Sequence, residues 1–135
     1  MVKIYRVNDR ISLNIDGLTV KISPLSFQQK MDVQALVLEG TAMSAMKGAA
    51  LALKYSLKEI KGLESEEGEY QLEVENNMVT DNCIDDLFNI EQGTKLTLVA
   101  LNLLQGIPES FINPENGEPI KGVKILKGKS SGKKK

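Results

Sequence analysis

Six glutamates crowd one stretch of the chain, at positions 64, 66, 67, 69, 73 and 75. Carboxylates this dense could hold a divalent cation or share a proton. The Asp/Asn ladder, central Gly and closing Glu of a calcium loop are absent, so the stretch reads as a solvated acidic loop. Asp81, Asp85 and Asp86 form a second acidic group, with Asp81 and Asp85 one helical turn apart. Its plainer role is to complement a helix N-terminus. Cys83 is the only cysteine and there is no histidine. No thiolate–imidazolium pair, disulfide or cysteine-based zinc site can therefore be assembled within the chain. Gly128-Lys129-Ser130 superficially resembles the end of a phosphate-binding loop, but Val123 stands where the upstream glycine is required. No catalytic, cofactor-binding or metal-binding residue is nominated. The chain is read as a protein-binding domain and not as an enzyme.

Charge is distributed unevenly. The net charge is −1, and residues 121–135 hold seven lysines and no acid, so the first 120 residues carry −1 minus 7, or −8. A lysine run of this kind can touch phosphates without sequence preference. No aromatic residue interleaves with it to stack on bases, so the bland reading is a solubilising tail.

With 135 residues, one domain with a single core is expected. Aromatics are 4% and Trp is absent, so Leu, Ile, Val, Met and Ala must build that core. The charged, alternating segment Met1-Val2-Lys3-Ile4-Tyr5-Arg6 lacks the apolar centre of a signal peptide. No apolar run approaches the roughly 20 residues that span a bilayer. A cytoplasmic location and no membrane association are expected.

The elements follow from periodicity and punctuation. Ile11, Leu13 and Ile15 alternate with polar residues, Asp16-Gly17 supplies a type I′ turn, and Leu18, Val20 and Ile22 alternate again. The implied register pairs Ile15 with Leu18, Leu13 with Val20 and Ile11 with Ile22, placing six apolar side chains on one face. Val2–Val7 is a candidate third strand. Ser26-Phe27-Gln28-Gln29 is a capping box opening a helix over 27–39 that stops at Gly40. Thr41 caps a longer helix over 42–61, closed by Gly62. Tyr70, Leu72 and Val74 suggest a short strand. Helices are expected over 81–89, with Ile84, Leu87 and Phe88 inward, and from 92 or 94 to 105. The fold class is α+β: an antiparallel hairpin of two or three strands packed on about four helices. Residues 1–107 form the domain, and 108–135 form an extended, basic, flexible C-terminal segment in which Val123, Ile125 and Leu126 could anchor a strand.

Met43, Met46, Ala50, Leu53, Leu57 and Ile60 recur at spacings of 3, 4, 3, 4 and 3. That is one continuous apolar stripe on the second helix. Methionine fills cores, and it also suits adaptable binding surfaces. A domain this small cannot bury every such stripe, so Met43, Met46, Ala50, Leu53 and Leu57 are the candidate partner contacts, whether for another protein or for a second copy.

The order of these pieces resembles the tail assembly chaperones of tailed bacteriophages. The features that carry the resemblance are the hairpin leading into Lys21-Ile22-Ser23-Pro24-Leu25-Ser26, two helices, Leu57-Lys58-Glu59-Ile60-Lys61-Gly62-Leu63-Glu64, an acidic turn, and Tyr70-Gln71-Leu72. They span roughly residues 11–104. The resemblance implies a protein of the host cytoplasm that binds the long helical tape measure protein before the tail tube forms. It also implies absence from the finished particle. A frameshifted longer form is a further implication, for which Lys133-Lys134-Lys135 would suit a slippery site. The rival reading is a structural virion component, such as a tail or head–tail connector subunit.

Overall fold

Asp16 and Gly17 both adopt positive φ, 48° and 92°. They close a hairpin between β1 (Arg10–Ile15) and β2 (Leu18–Ile22). The computed structural model describes residues 4–106 and the backbone of 124–126. The hairpin register is Ile15 with Leu18, Leu13 with Val20 and Ile11 with Ile22, as the alternation predicts. All six side chains are buried.

The protein is α+β. Helix α1 (Phe27–Val37) and helix α2 (Ala42–Ser56) form an antiparallel pair, each opened by a capping box, at Ser26 and at Thr41. Next comes β3 (Leu57–Lys61), then two small hairpins. One pairs β4 (Glu64–Ser65) with β5 (Gly68–Glu69), the other β6 (Val74–Glu75) with β7 (Met78–Val79). Helices α3 (Asp81–Phe88) and α4 (Gly93–Asn102) follow, and a 3-10 turn at Leu103–Gln105 ends the continuous stretch. Strand β8 (Lys124–Leu126) returns to pair with β1. The sheet order is β3-β2-β1-β8, antiparallel throughout. Sheet and helices share one core, in which Leu13, Val20, Val33, Leu53, Leu87 and Leu96 meet.

Four expectations are corrected. The helix expected over 42–61 ends at Ser56, because Leu57 turns extended (φ −73°, ψ 123°) and the chain pairs with β2. Leu57 and Ile60 both stay inward because β3 carries a bulge opposite Lys21/Ile22. This strand, not Val2–Val7, is the third of the sheet. Residues 4–7 form no strand, and residues 1–3 lie outside the described residues. Tyr70–Glu73 is not a strand either, since its polar groups are used elsewhere. The Tyr70 N–H donates to Leu63 O at 2.9 Å, and the Glu73 N–H donates to Cys83 Sγ at 3.1 Å. Finally, Phe88 is 39% exposed while Ile84 and Leu87 are buried. The remainder of the C-terminal segment, 107–123 and 127–135, lies outside the described residues.

Candidate protein-binding surface

Helix α1 starts where Ser26 Oγ accepts the Gln29 N–H (3.2 Å) and Gln29 Oε1 accepts the Ser26 N–H (2.9 Å). That start fixes which way the helix faces. Val33 is buried, and Leu36 and Val37 lean on α2 at Gly48, where an added Cβ would stand 3.0 Å from Val37 Cγ2 and 3.4 Å from Leu36 Cβ. A side chain larger than hydrogen at 48 would press the helices apart. At 100° per residue, Phe27, Met31, Ala35 and Leu38 fall within an arc of about 80° on the opposite side. Helix α1 is therefore apolar on its buried face and again on its solvent face.

The second helix carries exposed apolar residues of its own. Gly40 (φ 83°) reverses the chain, and the Thr41/Ser44 capping box restarts it. Met43 and Met46 thus lie on the opening turns of α2, at the same end of the helical pair as Leu38. Exposures are 77% for Phe27, 50% for Met31, 72% for Leu38, 69% for Met43 and 60% for Met46. No charged residue occupies the outward positions of α1. Asp32, on its flank, accepts from Gln28 Nε2 (3.1 Å) and from the Tyr55 hydroxyl (2.8 Å).

The stripe expected on α2 is therefore split. Met43 and Met46 are exposed and Ala50 is half-buried, whereas Leu53 (1%) and Leu57 (0%) are core. Leu53 and Leu57 are withdrawn as partner contacts in the folded chain: the later turns of α2 are covered by α4 and β7. Phe27, Met31 and Leu38 take their place. Their spacing of 4 and 7 is readable in the sequence, but apolar residues surround α1, so the spacing does not say which side faces inward.

The chemistry-bearing residues take structural roles. Asp81 Oδ1 lies 2.5 Å from Lys54 Nζ, tying α3 to α2. Asp86 Oδ2 accepts the Tyr70 hydroxyl at 2.8 Å. Cys83 is buried. Burial, aided by Cys83 and Asp86, pushes the Tyr70 hydroxyl far above its ordinary value, so at neutral pH it serves as a hydrogen-bond donor. Two open clefts flank Tyr70. One of about 250 Å³ lies between β3 and Gln71–Leu72, and one of about 260 Å³ is bounded by Leu63, Asp86 and Ile90. Among the described residues no group of three or more His, Cys, Asp or Glu side chains could hold a metal ion.

Comparison with protein-family models, with curated proteins and with solved structures gave no match. Among the described residues no helix is long and apolar enough to cross a membrane. The outward side of α1 and the Met43–Met46 patch are thus assessed on their own physics. Scattered exposed apolar residues are ordinary, but Phe27, Met31 and Leu38 share the outward side of α1, and that side can take another apolar face. Met43 and Met46 lie on the side of α2 turned away from Gly48, beside the exposed Lys47, and form a separate patch.

Proposed function

We propose that this protein is a tail assembly chaperone of a tailed bacteriophage, working in the host cytoplasm by holding the long helical tape measure protein before the tail forms. The observation that carries this reading is the doubled apolarity of α1, whose outward side exposes Phe27, Met31 and Leu38. A helix that serves only its own core would put charge there. Such a face suits helix-on-helix contact, with Met31 adapting to uneven side chains. The acidic body, −8 before the lysine-rich end, would keep a complex with an apolar partner in solution.

The test is co-expression with the long helical protein encoded beside it, followed by co-purification. The wild-type chain is expected to retain that protein in soluble form, and Phe27→Asp combined with Met31→Glu to lose it with an unchanged circular dichroism spectrum. Mass spectrometry of purified particles separates the rival reading. Stoichiometric presence there would overturn a chaperone role in favour of a structural tail subunit.

A further inference from the structure

The helices cover one face of the four-stranded sheet, and the other face is polar. Among the described side chains its charges are Arg10 on β1, Lys21 on β2, and Lys58, Glu59 and Lys61 on β3. Glu59 pairs with Lys21 at 3.2 Å. Four cations against one anion leave this face at +3, on a chain whose first 120 residues sum to −8. Lys58 holds its proton less tightly than a free lysine, first through burial and then through the nearby Arg10 cation. Lys58 Nζ donates to Asn77 O at 3.3 Å and the Arg10 guanidinium to the carbonyls of Val7 and Asp9, and among the described residues neither makes an ion pair with a carboxylate.

The opposite charge is concentrated in the β4–β5 hairpin. Glu64, Glu66, Glu67 and Glu69 are all exposed, and among the described residues none makes an ion pair. The hairpin leaves the sheet at Gly62, beside Gly17, where an added Cβ would stand 2.8 Å from Gly17 O. This is the turn end of β1–β2, whereas Arg10 begins β1 at the far end. Five strand steps separate Arg10 from Ile15, about 17 Å at ~3.4 Å per residue. That is roughly twice the ~8 Å screening length at physiological salt, so a chain's own hairpin is screened from its own Arg10, although its Glu69 lines one cleft with Lys58.

We propose that the glutamate hairpin 64–69 of one copy docks on the Arg10–Lys21–Lys58 sheet face of a second copy, giving head-to-tail association. The two surfaces differ, so the contact is heterologous and can extend to a ring or a short filament. Exposed ion pairs contribute little singly, so the association is weak and salt-sensitive.

Sedimentation of the full chain at low and at high salt tests this. At low salt the mass should rise with concentration, and at high salt it should fall to the monomer. Glu66→Lys with Glu67→Lys, and separately Arg10→Glu with Lys21→Glu, should each weaken association by roughly tenfold or more. Mixing the two reversed variants should restore it as an alternating assembly containing both in equal amounts. Should the second variant melt early, Arg10→Gln with Lys21→Gln replaces it, with a smaller loss expected. A wild-type monomer at low salt, or an oligomer indifferent to both reversals, would sink the proposal. So would loss of single-stranded oligonucleotide binding in the Arg10 variant with its mass unchanged, which would assign the face to nucleic acid.

Discussion

The Tyr55 hydroxyl donates to Asp32 Oδ2 at 2.8 Å, fastening the last turn of α2 to the flank of α1. With Gly48 admitting Val37 on the same side, this bond sets the rotation of α1 about its axis and turns Phe27, Met31 and Leu38 outward. Tyr55→Phe keeps the ring and removes the donor. Urea unfolding should show a loss of about 1 kcal/mol, the usual net value of such a bond. Amide exchange should quicken in 27–37 more than in α4.

Alkaline stability follows from the same group. Burial, the hydrogen bond and the Asp32 charge raise the Tyr55 hydroxyl above its ordinary value, and Tyr70 is raised further, again chiefly by burial. Both tyrosines are neutral donors in the folded chain. Their contribution is fully present below the unfolded tyrosine value of about 10 and is lost as pH rises through the folded values. Thermal melts should therefore decline above about pH 10. Tyr70→Phe should be less stable at neutral pH and decline less steeply with alkali, and an unchanged slope would disprove the link.

The extent of the α2 stripe is tested by contrast. Leu53→Ala empties a core position and should destabilise by about 2–5 kcal/mol, read from the urea midpoint. Met46→Gln removes apolar surface already in water and should stay within about 0.5 kcal/mol of wild type. In the co-purification assay the order should reverse, with Met46→Gln weakening partner retention while the fold stays intact.

The difference between those two positions explains what could be read from residues alone. The β1–β2 register was legible because period-two alternation and an Asp-Gly turn leave one alignment that buries all six apolar side chains. The caps at Ser26 and Thr41 were legible because each serves backbone N–H groups within three residues of itself. Leu57 and Ile60 were not. A spacing of three fits a helical stripe, and a bulged strand can bury the same pair. Pairing with β2, distant in sequence, decides between them. Likewise Met43 and Leu53 belong to one periodic pattern, and only the packing of α4 and β7 over the later turns makes one surface and the other core. The exposed side of α1 was hidden for a related reason: apolar residues surround that helix, so its pattern did not say which side faces inward.

Ser56 offers a prediction of opposite sign. It ends α2 with its side chain fully buried, and its hydroxyl oxygen has no hydrogen-bond partner among the described residues. Its carbonyl is well used, accepting the Ser23 N–H at 2.8 Å, so the backbone is anchored where helix becomes strand. The hydroxyl contributes nothing to that anchor, and it gave up its water on folding. Ser56→Ala keeps the carbonyl and the small volume and deletes the unpaired group. Folding stability should rise by about 1 kcal/mol, seen as a higher urea midpoint with an unchanged slope. A loss of similar size would mean that the hydroxyl is satisfied after all, by water held at the α2–β3 junction.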